Sequence, residues 1–291
     1  MLPKIADSLS FLYLDVVRVV QDDTGVCAQI ATARGTEQVY LPTAALSCVL
    51  LGPGTSITQP ALATLARHGT TVLCTGSGGV RCYSGIIPDS LTSRWLELQA
   101  RRWADDHERL NIAIRMYEQR FGTGTVPAGT TLAQLRGMEG QRIKALYRVL
   151  AQQHRIGRFR RSYDPASWDQ QDPVNLALSS ANTCLYGIVH AAIQAMGCSP
   201  GLGFVHSGTQ NAFVYDIADL YKAHLTIPLA FGLHDSFNPE QEARRSFRSE
   251  LRLFKLMPRI VNDIQRLLTP DTPQLDIEPD GTAPGLVDSR G

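Results

Sequence analysis

The stretch GFVHSGTQNAFVYDIAD, residues 203–219, sets one imidazole, His206, ahead of two carboxylates, Asp216 and Asp219. Apolar residues precede both: Phe204-Val205 before the histidine, Phe213-Val214-Tyr215 before the aspartates. The turn-forming run SGTQN lies between, so the histidine and the aspartates flank a loop. Two chemistries fit. If a helix starts near Ile217, Asp216 is its N-cap and Asp219 its third residue, and both serve backbone N–H groups and the helix dipole. In the other reading, imidazole nitrogen and carboxylate oxygen form the mixed donor set of a divalent-cation site.

Glu139 bears on that choice. It lies in LRGMEGQRIKALY between Gly137 and Gly140. Each glycine costs a helix about 1 kcal/mol relative to alanine, so two within four residues suggest close approach by backbone or ligand. Glu139 is also the only acid among eight basic residues from Arg136 to Arg161. Pairing with Arg136 or Arg142 on its own helix is the plain alternative, worth a few tenths of a kcal/mol. A Glu, a His and an Asp converging from separate segments would suit Mg²⁺ or Mn²⁺, and surrounding arginines would suit phosphates. The chemistry this suggests is metal-dependent reaction on a nucleic-acid backbone.

Those residues need a scaffold to position them. The chain has 291 residues, 44% of them hydrophobic, enough for a real core and for two ordinary domains. Net charge is only +1, yet the charge is polarised. The 136–161 run and a second group, Arg244, Arg245, Arg248, Arg252, Lys255 and Arg259, are basic, whereas the proline-rich stretch after Leu268 is acidic. The apolar runs read as too short to cross a bilayer, the start lacks an export pattern, and six scattered cysteines without CxxC spacing suggest a reducing compartment. The expectation is a cytoplasmic protein that does not engage membranes.

Short strand patterns separated by turn formers fill residues 8–86, interrupted by one helix, ITQPALATLARHG, with Gly69 at its C-terminal cap. TGSGGVR lacks phosphate-loop spacing and reads as a tight turn between strands. From Ser93 to Leu268 the period is helical. RWLELQARRWADDHERLNIAIRMYEQRFG reads as one long helix, and the Ala, Ser, Gly and Asn of PVNLALSSANTCLYGIVHAAIQAMG suit close packing in a bundle. The expected fold is α+β: a small β-rich N-terminal domain (1–86), a linker (87–92), a larger all-α catalytic domain (93–268) and an acidic Pro-rich flexible tail (269–291).

Four motifs, LRGMEG, RRSYDPASW, SSANTCLYG and GLGFVHSGTQNAFVYDIADLYK, resemble in order and spacing the integrase subunit of the CRISPR spacer-acquisition complex, in its subtype I-E form. The similarity runs from about Leu9 to about Leu268. It implies a metal-dependent DNA integrase and endonuclease whose metal ligands are Glu139, His206 and Asp219, with Asp216 supporting activity. The implied reaction is transesterification: a 3′-OH of a captured fragment attacks a phosphodiester of the CRISPR repeat. By the same resemblance Tyr163, Tyr186 and Tyr215 lie near DNA or the active site, Arg81 contacts DNA, and Lys222, Arg245 and Arg248 are candidate phosphate contacts. The implied partners are double-stranded DNA with 3′ overhangs, CRISPR repeat DNA, a second copy of the chain, and a small ferredoxin-like CRISPR-associated subunit. The sequence departs from the family pattern at Thr209, where many relatives carry lysine, and at the N-terminal aromatic, for which Tyr13 is the nearest match. Gln274 and Leu275 are candidate readers of the DNA end. The rivals are a non-catalytic DNA-end-binding scaffold and a hydrolase of small phosphoesters, the latter disfavoured by so extended a basic surface.

Overall fold

The structure is a computed structural model that describes residues 11–77, 82–89, 91–162, 172–250 and 252–269, with the backbone alone for 247–250 and 252–255. Two four-stranded sheets fill the N-terminal region. The first has the order β1 (Phe11–Leu14), β5 (Cys48–Leu51), β7 (Thr71–Thr75), β8 (Cys82–Ile86); the second is β4 (Gly35–Tyr40), β3 (Val26–Thr32), β2 (Arg18–Gln21), β6 (Ser56–Ile57). β1, β5 and β7 run parallel, and β8 closes the first sheet antiparallel to β7. The predicted helix forms α1 (Gln59–Arg67), and Gly69, at φ 70°, returns its N–H to the Ala66 carbonyl as the cap expected there.

The period of two in the first sheet decides where the core sits. All four residues of β5 are buried, but alternate ones serve different partners. Cys48 and Leu50 join the helical core, whereas Val49 and Leu51 pack with Val19, Val26, Ala61 and Leu65 of the second sheet and α1. The first sheet is thus a partition with one core on each face.

Beyond it the chain is helical: α2 (Arg94–Ala104), α3 (Asp106–Phe121), α4 (Leu132–Gln153), α5 (Pro173–Ala195), α6 (Ala212–Lys222), α7 (Thr226–Gly232), α8 (Pro239–Glu250) and α9 (Arg252–Leu268). The single long helix expected over 94–121 is two. Asp105 leaves helical geometry (ψ 117°), and its side chain accepts from the Glu108 N–H, so it caps α3 instead of continuing α2. A capping box between Thr131 and Gln134 starts α4. α5, with sixteen buried residues, is the axis around which α6 to α9 pack. Its length and composition would suffice to cross a membrane, contrary to the expectation from the sequence, but 72% of that window is buried inside the protein. It is a core helix by burial.

Candidate functional site

Asp216 lies within α6, just over one turn from its start, so the N-cap reading is overturned: the helix begins at Ala212 because Phe213-Val214 continue its buried face without interruption. The carboxylate, 3% exposed, serves a different backbone. Its Oδ2 accepts from the N–H groups of Phe204 (2.5 Å) and Val205 (3.0 Å), and its Oδ1 from the His206 N–H (2.9 Å). Oδ1 also meets His206 Nδ1 at 2.7 Å. A carboxylate only accepts, so Nδ1 is the donor and Nε2 is left with its lone pair outward. This is the arrangement that orients a metal-binding histidine. The Asp216 hydrogen bond holds the imidazole above its ordinary pKa, against the effect of burial and with help from the charges of Asp216 and Asp219.

The opposite side of that loop is held as firmly. Trp103 Nε1 donates to Gly203 O (3.0 Å), Arg109 Nε to Phe204 O (3.1 Å), and Arg136 to Val205 O. A Cβ on Gly203 would come within 2.7 Å of backbone atoms of Ala212 and His206, which is why the loop needs glycine there. None of Trp103, Arg109 or Arg136 stands out in the sequence, because the partners are carbonyls about 70 to 100 residues away.

Glu139, on α4, pairs neither with Arg136 nor with Arg142. Arg136 holds the loop, and Arg142 lies over the Phe121 ring at 4.2 Å. The partners of Glu139 come from α3: Tyr117 donates its hydroxyl to Oε2 (2.9 Å), and the Arg120 guanidinium binds Oε1. Burial, and then the Glu139 carboxylate, hold the Tyr117 phenol well above its ordinary range. The spacing i, i+3 places Tyr117 and Arg120 on one face of α3, a signal present in the sequence but unremarkable until α4 lies beside it. The close approach expected at Gly137 and Gly140 is not made by the chain itself: a Cβ at either meets nothing within 4 Å.

Asp219, one turn beyond Asp216, holds Lys222 at 2.6 Å. Burial works against the Lys222 charge but is outweighed by Asp219 and Tyr186, which keep the ammonium well above its ordinary pKa. Lys222 lies 4.9 Å from the Tyr186 ring centre, Tyr186 meets Tyr215 edge-on at 5.1 Å, and Tyr215 meets His206 at 5.8 Å. The charge of Asp219 reaches both Tyr117 and His206, raising the pKa of each. Glu139 and Asp219 thus both act on Tyr117 and Asp219 acts on His206, but among the described residues no three such side chains stand close enough to grip an ion. Their donor chemistry, two carboxylates and an oriented imidazole, fits a hard divalent cation.

Arg245 is exposed on α8. Arg81, Tyr163, Gln274 and Leu275 lie outside the described residues, as does the side chain of Arg248. At the far end of α4 and just past it, Lys144, Arg148, Arg155, Arg158 and Arg160 are all exposed, and no ion pair is made by any of them among the described residues.

A two-sheet N-terminal region partitioned from a helical bundle, with an oriented histidine and two cation-held carboxylates in the bundle, defines a class with solved counterparts. The model of the family described as CRISPR associated protein Cas1 matches residues 123–250. The chain is 40% identical to the CRISPR-associated endonuclease Cas1 of Clostridium sp. (strain SY8519), over 96% of this chain and 92% of that protein. It is 35% identical to the CRISPR-associated endonuclease Cas1 of Escherichia coli (strain K12), over 91% and 86% of the two chains. A crystal structure of TtCas1 with DNA superposes with a TM-score of 0.80 at 38% identity, covering 92% of this chain and 99% of that one. The protein belongs to the Cas1 family. A casposase bound to an integration product shares the fold at 14% identity, with a TM-score of 0.61 over 90% and 96% of the two chains.

Proposed function

We propose that the protein is a metal-dependent DNA endonuclease and integrase of CRISPR adaptation, inserting captured DNA fragments into the CRISPR array. The observation that carries this reading is the Asp216–His206 pair, which fixes Nε2 as a free donor in the field of Asp219. Glu139, His206 and Asp219 would hold Mg²⁺ or Mn²⁺. When bound, such an ion supplies positive charge that acidifies a hydroxyl and offsets charge on phosphoryl oxygens. The chain's own residues do the rest. Asp216 and the three groups on the 203–205 carbonyls fix the imidazole before substrate arrives, which removes reorganisation from the reaction itself.

In this reading a 3′-OH of the fragment forms a new P–O bond in the repeat while the original P–O bond breaks, so the number of phosphodiesters is conserved. Tyr186, Tyr215 and Lys222 border the reacting groups, and Arg245, Arg248, Arg81 and Tyr163 belong to the DNA-binding surface. The β-rich part (1–86) serves dimerisation and DNA contacts, 87–92 is a linker, and 93–268 carries catalysis. The protein would work in the cytoplasm as a homodimer bridged by a small ferredoxin-like CRISPR-associated subunit.

The held state of Glu139 and Asp219, each on a basic side chain, favours one rival: a scaffold that binds DNA ends without catalysis. A branched DNA with a free 3′-OH separates them. Strand transfer by wild type in Mn²⁺ but not in EDTA, lost in Glu139→Ala with DNA binding retained, supports the integrase. Equal behaviour of the two proteins supports the scaffold.

A further inference from the structure

The two carboxylates assigned to the metal are not waiting empty-handed. Both oxygens of Glu139 are engaged, one by Tyr117 and one by Arg120. One oxygen of Asp219 is engaged by Lys222. These pairs are sheltered: the side chains of Arg120 and Glu139 are 6% and 20% exposed, those of Lys222 and Asp219 22% and 13%. Two negative charges are thus balanced by two positive ones. A divalent ion bound to the same carboxylates leaves both basic groups without a counter-charge, and a sheltered, uncompensated cation is strongly unfavourable.

Arg120 has capacity to spare. Its guanidinium is fixed over Tyr117 (5.7 Å) and Phe121 (5.1 Å), and its buried Nε–H has no hydrogen-bond partner among the described residues. An arginine that is immobilised, buried and holds an unused donor is suited to a fork-shaped acceptor such as a phosphate.

From this charge balance we infer that Arg120 and Lys222 are built-in cations that hold Glu139 and Asp219 until a divalent ion enters, and that the ion's entry turns them over to a DNA phosphate. The inference rests on the metal reading above. It makes Arg120 a positioning residue shared between the metal and the phosphate. It also makes metal and DNA binding mutually reinforcing, since each relieves the charge imbalance left by the other.

The test is a calorimetric titration with Mn²⁺ alone, without DNA, of wild type, Arg120→Met, Arg120→Lys, Lys222→Met and Glu139→Gln, with melting temperatures recorded in EDTA and in Mn²⁺. Arg120→Met frees Glu139 from its competitor and is expected to bind Mn²⁺ about tenfold more tightly than wild type, equivalent to about 1.4 kcal/mol. It should melt lower in EDTA and recover more on adding Mn²⁺. Arg120→Lys keeps the competing charge and should stay near wild-type affinity. Lys222→Met tests the same exchange at Asp219 and carries the comparison if Arg120→Met does not fold. If Arg120→Met and Lys222→Met bind Mn²⁺ no more tightly than wild type, the pairs are merely structural and the inference is overturned. A gain in Arg120→Lys equal to that in Arg120→Met overturns it too, since charge would not be the cause. If Glu139→Gln binds Mn²⁺ as well as wild type, the metal reading falls first; if only the Arg120 and Lys222 results fail, that reading stands.

Discussion

The two sides of the candidate site are held by different kinds of bond. On the His206 side a buried carboxylate accepts from three consecutive backbone N–H groups, and the carbonyls of the same loop are held by Trp103, Arg109 and Arg136. On the Glu139 and Asp219 side the contacts are to side chains instead of backbone groups: Tyr117, Arg120 and Lys222. Backbone hydrogen bonds fix a histidine whether or not a ligand is present. Side-chain ion pairs can be exchanged for a ligand's charge. The fold thus fixes His206 through backbone bonds and leaves Glu139 and Asp219 in side-chain ion pairs.

The sharpest way to break this contrast is Asp216→Ala. It strands three backbone N–H groups in a buried loop, each costing roughly 1–3 kcal/mol without an acceptor. The expected outcome is a loss of about 3–4 kcal/mol in urea unfolding, together with loss of nuclease activity. A loss below about 1 kcal/mol would mean that the carbonyl-side contacts alone hold the loop. Glu139→Gln should behave differently. Glutamine keeps one oxygen to accept from Arg120, and its amide NH2 can donate to the Tyr117 hydroxyl, so stability is expected to fall by only about 1–2 kcal/mol, while Mn²⁺-dependent cleavage drops roughly 10²–10³-fold. If the two variants lose stability equally, the division into a fixed and an exchangeable side is wrong.

Much of this was readable beforehand, and the division of labour explains what was not. Glu139, His206, Asp216 and Asp219 stand out as candidates in the sequence because few residue types can bind cations and their apolar or glycine-rich settings are unusual. The sheet-then-helix order was legible from hydrophobic period. Of the two readings open for Asp216, the helix cap fails although local spacing fits it, because the N–H groups the carboxylate serves lie 10 to 12 residues upstream. Arg120 was missed for a related reason. Its partner is 19 residues away on another helix, and only the packing of α3 against α4 joins them. Asp105 ended a helix that periodicity alone would have carried through, because a capping side chain outweighs a continuing apolar stripe. Contacts made by backbone carbonyls leave no trace in residue type at all.

A gentler probe of the fixed side is pH. In the metal-free protein the Asp216 hydrogen bond raises the His206 pKa, whereas burial lowers that of His190, which lies on α5. The signs follow. The His206 contribution to stability is full below the unfolded value of 6.5 and fades as pH rises through its higher folded value. The His190 contribution is present above 6.5 and is lost as pH falls through its lower folded value. Imidazole resonances followed by NMR should show His206 titrating above 6.5 and His190 below it. A His206 midpoint below 6.5 would mean that its pairing with Asp216 does not survive in solution.

The smallest effect belongs to the basic surface past the end of α4, and there one residue separates binding from folding. Arg155 adopts φ 55°, a left-handed conformation that costs a non-glycine residue about 1 kcal/mol and usually belongs to glycine after a helix end. Its side chain is exposed, so packing does not explain why an arginine stands there. Electrostatic contact with a phosphate would. Arg155→Gly should therefore leave urea stability unchanged or slightly higher while weakening DNA binding a few-fold. The slope of log affinity against log salt should fall by about 0.9, the value for one lost phosphate contact on duplex DNA. A stability gain with an unchanged salt slope would place the DNA path elsewhere and leave Arg155 as a strained residue on a solvated face.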